Sequence, residues 1–119
     1  MSGRRRAAER AGRLAEALAA WSLRLKAYSV IARRLRTPAG EIDLIARRGR
    51  VLVFVEVKLR SAGIDGLMAL QPRQQRRIRN AASWYLGHRP ELADLDCRFD
   101  LVIVTPWRLP RHVQDIWRD

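Results

Sequence analysis

Apolar positions along the chain change their period several times, and each change marks an element. From Ala7 to Lys26 the sequence is rich in Ala, Leu and Arg, with Leu14, Leu18, Trp21 and Leu25 on one stripe, which predicts a first helix. "YSVIARRLR", Tyr28 to Arg36, carries the β-branched and aromatic residues of a strand and stops at "TPAG", whose Pro38 and Gly40 mark a loop. "GEIDLIARRGRVLVFVEVKLR", Gly40 to Arg60, predicts a β-hairpin. With Arg48 and Gly49 as its central turn residues, Ile42 faces Val55, Leu44 faces Val53 and Ala46 faces Val51, a wholly apolar face. The other face pairs Ile45 with Leu52, Asp43 with Phe54 and Glu41 with Glu56, and a one-residue slip would mix the two sets.

Beyond the hairpin, Ser61 to Pro72 is broken by glycines and predicts a loop. From about Arg73 to Gly87 a helical period returns, with Ile78, Ala81, Ala82, Tyr85 and Leu86 towards the core, Gly87 suited to a C-cap and Pro90 just beyond. "CRFDLVIVTP" holds another buried strand, and "HVQDIW" a last short one at an edge. The order is α-β-β-β-α-β-β.

A chain of 119 residues, nearly half of them apolar, is long enough for one domain with one core. Met1 to Arg6 reads as a basic tail without predicted order, and residues 7–119 as the domain. No run of about 18 apolar residues offers a membrane span, and the arginine-rich start lacks the apolar centre of a signal peptide, so a cytoplasmic protein is expected. Cys97 is the single cysteine, with only His88 and His112 beside it, which excludes an internal disulfide and disfavours tetrahedral zinc. A small, partly buried residue is expected there.

Charge changes the picture more. A formal net charge of +12 makes a polyanion the first partner to consider, nucleic acid before a phospholipid surface. Of the 24 basic residues only Lys26 and Lys58 are lysines, so 22 are arginine and each lysine is informative.

Lys58 sits where the hairpin changes character. On Val51 to Lys58 both faces begin apolar, and only Glu56 and Lys58 turn one face charged at its end. The hydrophobic pattern already specifies the strand, so folding does not require them. Metal-assisted phosphodiester hydrolysis does. Two carboxylates bind Mg²⁺ or Mn²⁺ well when waters and a phosphate complete the octahedron. In the register above Asp43 lies diagonal to Glu56, within about 5 to 8 Å, so one cation could bridge them. Lys58 beside Glu56 can neutralise a pentavalent phosphate or orient an attacking water, and arginine, locked in its charged form, cannot take the second role.

Asp43, twelve residues and then Glu56-Val57-Lys58 on adjacent strands resemble the PD-D/E-x-K nuclease signature of the restriction-endonuclease-like fold. More closely, "GEIDLI" followed by "VFVEVK" resembles the YraN-like family of uncharacterised bacterial proteins, related in fold to archaeal Holliday junction resolvases. The similarity spans about residues 11 to 117 and includes Arg98, Phe99 and Asp100 as the family's "RFD" strand. It implies an α/β domain with a mixed central sheet flanked by helices. It further implies a first-helix ligand at Glu16, converging with Asp43, Glu56 and Lys58. Where the family carries a lysine at the start of the second helix, this sequence has Gln74, with Arg73 as neighbour.

Other readings stand beside these. Glu16 lies opposite the Leu14, Leu18 and Trp21 stripe, so periodicity alone leaves it solvated. Glu41 reads either as a loop-end carboxylate bonded to an arginine or as a support behind the metal ligands. Asp100 is expected to pair with Arg98 or Arg60 at a structural site. Trp107 and Trp117 read as core or edge packing rather than base-stacking platforms.

The functional expectation is a Mg²⁺- or Mn²⁺-dependent endonuclease on DNA, branched or single-stranded. Asp43 and Glu56 hold the metal, Lys58 acts on the phosphate or water, and Arg33, Arg34, Arg60, Arg73, Gln74, Arg76 and Arg77 track the nucleic acid. A non-catalytic nucleic-acid-binding protein of the same fold is the alternative, and an RNA-associated basic protein a third. No membrane partner is expected. A homodimer is a further expectation, because resolvase-like nucleases pair to cut two strands, although the sequence marks no interface.

Overall fold

A computed structural model describes residues 2–61 and 71–116. The predicted order is found: α1 (Gly3–Leu25), β1 (Ser29–Thr37), β2 (Gly40–Arg48), β3 (Val51–Leu59), α2 (Pro72–Gly87), a 3-10 turn at Pro90–Leu92, β4 (Asp96–Val104) and β5 (Arg111–Val113). All five strands form one sheet in the order β1-β2-β3-β4-β5. The pairings are antiparallel except β3 with β4, which run parallel from Val51 opposite Asp96 to Leu59 opposite Val104. α1 covers one face and α2 the other. Most of the predicted loop Ser61 to Pro72, and Trp117, lie outside the described residues. No described helix is long and apolar enough to cross a membrane.

The core has two halves because β3 is apolar on both sides. Val53 and Val55 pack with Leu44, Ala46, Val102 and the alanine-rich side of α1. Leu52 and Phe54 pack with Ile45, Ile78, Ala81, Ala82 and Tyr85, the α2 face that the helical period predicts. α1 turns differently from expectation. Its buried residues are Ala15, Ala19, Ala20 and Leu23, while Leu14, Leu18, Trp21 and Leu25 are exposed. Alanines let the helix axis approach the sheet closely, and the bulkier stripe is left facing outward. α1 also begins earlier than predicted: Ser2 caps it by accepting from the Arg5 N–H at 3.2 Å, which places Arg4 to Arg6 in helix. Cys97 is exposed, not partly buried, because β4 begins at the rim of the sheet.

The hairpin register differs from the predicted one by two residues. Arg48 pairs with Val51, Ala46 with Val53 and Leu44 with Val55, so Gly49 and Arg50 are the central turn residues. Gly49 adopts φ 60°, the positive value that a II′ hairpin turn requires at its first central position. An even shift keeps each face intact, which is why the core prediction survives. It moves Asp43 from a position diagonal to Glu56 to one directly opposite.

Candidate active site at the end of the central hairpin

β1 and β2 share a fault at one rung, and it builds the site. Ile42 lies on the α2 side of the sheet and Leu44 on the α1 side, although one residue separates them. On β1, Arg33 pairs with Leu44 and Leu35 with Ile42, so Arg34 stands opposite Asp43. Arg34 has φ 50°, a left-handed conformation that costs a non-glycine residue on the order of 1 kcal/mol and collects at functional sites. The β2–β3 ladder ends at Leu44 and Val55, and beyond it the Asp43 side chain replaces the backbone, its Oδ2 accepting the Val57 N–H at 2.8 Å. Asp43 is thereby fixed beside Glu56, at the end of the sheet between the two helices.

Three further groups complete the cluster. Lys58 Nζ lies 3.4 Å from Glu56 Oε1, with both side chains largely out of water, at 15% and 13% exposure. Glu16 descends from α1 and receives Arg34 Nε at 2.7 Å. Burial brings it within electrostatic reach of Asp43, against the solvated position that periodicity suggests. Glu41 is exposed and pairs with Arg36 across the β1–β2 ladder at 3.5 Å, the arginine-bonded loop-end reading.

The electrostatics are unbalanced towards negative charge. Burial, opposed by the Val57 N–H and reinforced by the charge of Glu16, raises the Asp43 pKa. Glu56 is pushed up to about 8, by burial first and by Asp43 second, with Lys58 only partly compensating. A pair of buried carboxylates that retains a proton near neutral pH is short of positive charge, which suits it to a cation. Among the described residues no three His, Cys, Asp or Glu side chains are grouped so as to hold a metal unaided. The donor set therefore fits a hard divalent ion that keeps waters and takes an oxygen from its substrate.

Two hollows meet at Asp43. The smaller, about 140 Å³, lies among Glu41, Asp43, Glu56, Gln74, Arg77 and Ile78. The larger, about 360 Å³, opens between α1 and β1, with Arg13, Arg34 and Arg36 among its lining. α2 reaches the site because Gly40 has no side chain: a Cβ there would stand 2.8 Å from the Arg77 carbonyl oxygen. Of the predicted nucleic-acid contacts, Arg34, Gln74 and Arg77 line these hollows. Arg33, Arg73 and Arg76 are exposed outside them, and Arg60 bonds the Leu59 carbonyl at 2.8 Å. Arg13 and Arg36 are absent from the expectation. The signal for Arg36 lies in the turn chemistry, since pairing across Pro38-Ala39 sets it opposite Glu41.

A second buried carboxylate lies on β4. Asp100 accepts from Arg98 Nε and NH2, each at 2.8 Å, and from the Asp115 N–H at 2.9 Å, while His112 Nε2 stands 2.6 Å from its Oδ2. The Arg98 guanidinium also reaches the Tyr28 hydroxyl at 2.7 Å. Of the two expected partners Arg98 is the one used. Burial alone would raise the Asp100 pKa, but the bonds from His112, Arg98 and Asp115 outweigh it and hold the carboxyl below its ordinary value. With every oxygen served, this centre joins the α1–β1 connection at Tyr28, β4 and the β5 segment, and has no capacity left for a ligand.

Compared with known proteins, residues 15–104 match the family model described as Uncharacterised protein family UPF0102. The chain is similar to a UPF0102 protein of Parvibaculum lavamentivorans, 59% identical over 112 residues that cover 94% of this chain and 84% of the relative. It is similar to UPF0102 protein amb4503 of Paramagnetospirillum magneticum, 51% identical with 94% and 90% covered, and to a UPF0102 protein of Caulobacter vibrioides, 49% identical with 93% and 89% covered. With most of its length inside the family match and such relatives spanning it almost end to end, the chain belongs to the uncharacterised protein family UPF0102.

Proposed function

We propose that this protein is a metal-dependent endonuclease that hydrolyses DNA phosphodiester bonds. The observation that carries the reading is the buried Asp43 and Glu56 pair, raised in pKa and accompanied by Lys58, at a strand end bordered by arginines. A bound Mg²⁺ or Mn²⁺ would polarise the phosphoryl oxygen and neutralise charge developing on it. Asp43 and Glu56 would hold that ion, with Glu16 close enough to contribute through water. Lys58 would face the phosphate and share its charge. Arg34, Arg36 and Arg77 would bind the flanking backbone, which fixes the strand without reading its sequence. The restriction-endonuclease-like resemblance supports the assignment, because its matching residues Asp43, Glu56 and Lys58 are neighbours at one strand end.

Cleavage of a panel of single-stranded, flap, junction and duplex DNA tests it. Divalent-dependent products are expected from the wild type, with losses of at least 100-fold for Asp43→Ala and Lys58→Ala. Activity equal to wild type in both variants would identify a contaminant and end the proposal.

One observation favours a second reading, a nucleic-acid-binding protein without catalysis: no three-donor group is present among the described residues. Calorimetry with Mn²⁺ separates the two. Salt-sensitive DNA binding without any metal binding selects the binder.

A further inference from the structure

The apolar stripe of α1 has no partner within the described chain, and its spacing is informative. Ala7, Ala11, Leu14, Leu18, Trp21 and Leu25 follow one another by 4, 3, 4, 3 and 4 residues, filling every a and d position of a heptad repeat. Leu14, Leu18, Trp21 and Leu25 are 62%, 42%, 62% and 70% exposed. Beside the stripe lies an apolar groove of about 400 Å³, lined by Ala11, Leu14, Leu18, Leu59 and Trp107 among others. Trp107 is fully exposed at its rim, with φ 65°.

We infer that this surface is a homodimer interface in which two α1 helices pack antiparallel, independently of the nuclease reading. The stripe is complementary to its own reverse. In an antiparallel pair a positions meet d positions, and setting Leu14 against the partner's Leu18 also sets Ala11 against the partner's Trp21 and Ala7 against the partner's Leu25. Trp21 and Leu25 each meet an alanine, and the two leucines meet each other at the centre. The partner's Trp21 is thereby brought to the groove at Ala11, which has room for an indole. A parallel pair would instead stack Trp21 on Trp21 and leave the alanine layers empty. The exposed area of Leu14, Leu18, Trp21, Leu25, Leu59 and Trp107 is on the order of 800 Å², the amount each partner contributes to an interface of standard size. Exposed apolar patches of that size mark interaction surfaces.

Charge makes the pairing distinguishable from other contacts. Arg10 lies close to the partner's Arg24 at each end of the interface, so added salt screens a repulsion and tightens the dimer. Nucleic acid, or an anionic membrane against the same helix, would be released by salt.

Sedimentation velocity on the full chain at tens of micromolar tests the inference. The expected result is a species of twice the 13.7 kDa chain mass, with a dissociation constant that falls several-fold between about 0.1 and 0.5 M salt. Leu18→Glu is expected to be monomeric with the helix content of the wild type by circular dichroism, because Leu18 is not in the core. In a Cys97→Ser background, Ala17→Cys is expected to cross-link with a short bismaleimide, whereas Ala7→Cys, about 27 Å from its counterpart, is not. A monomer at every salt concentration overturns the inference. So does a Leu18→Glu dimer, cross-linking at Ala7 in place of Ala17, or a free monomer that co-sediments with phosphatidylglycerol vesicles.

Discussion

Glu56 and Asp100 sit on neighbouring strands, one register position apart, and both are withdrawn from water, yet their surroundings drive them in opposite directions. Asp100 collects Arg98, His112 and the Asp115 N–H, and its pKa falls despite burial. Glu56 meets Asp43 as well as Lys58, and burial raises it to about 8. The burial penalty is common to both, so the supply of partners decides. A carboxylate whose partners are complete stays charged in the interior, and one left short of positive charge keeps its proton.

The largest expected effect breaks the complete centre. Asp100→Asn leaves the Arg98 guanidinium without its counter-charge and should destabilise the fold by about 3 to 5 kcal/mol in urea titration. A loss under 1 kcal/mol would show that Asp100 does not anchor β4 and β5.

The pH dependence of stability comes next and carries opposite signs at the two centres. The folded state keeps the Glu56 proton from its ordinary 4.5 up to about 8, while the unfolded chain has released it. Stability of the metal-free protein should therefore fall across that window, by up to about 1.4 kcal/mol per pH unit. Asp100, depressed below its ordinary 3.8, contributes stability that is lost as pH falls through its lowered pKa. Melting temperature should peak at mildly acidic pH, and Glu56→Gln should flatten the alkaline side alone. A curve that Glu56→Gln leaves unchanged would remove the contrast.

The smallest effect sharpens the role of Asp43. Asp43→Asn retains an oxygen for the Val57 N–H and removes a charge from the cluster, so stability at pH 8 should be equal or slightly higher. Asp43→Ala orphans that N–H and should cost about 1 kcal/mol. Chemical denaturation of the two variants side by side measures the difference.

The elements were legible wherever apolar period and turn chemistry agreed. α2 follows its period residue by residue, and the Asp100 pairing was available from "RFD" with an adjacent arginine. The hairpin register was missed by two because both Arg48-Gly49 and Gly49-Arg50 are acceptable turns and both keep the faces apolar. α1 is ambiguous for a related reason: two of its faces are apolar, and the alanine face, weaker in hydrophobicity, is the one that packs on the sheet. Glu16 was reachable only through family resemblance. Period describes a helix and not the direction in which the helix lies against its sheet. Nothing local announces the left-handed Arg34 either, since it follows from two strands changing face together.

The parallel pairing of β3 with β4 also has a kinetic consequence. Strands β1 to β3 are joined by two-residue turns, so their contacts close short loops, and hairpins of this kind form in about 1 to 10 μs. β4 must return across α2, with register partners such as Val51 and Asp96 separated by 45 positions in sequence, and contacts of that separation slow the folding of a domain. Asp43, Glu56 and Lys58 all belong to the early meander, whereas Asp100 arrives with the late strand. Closure of short loops ahead of long ones thus orders the repulsive cluster before the stabilising one.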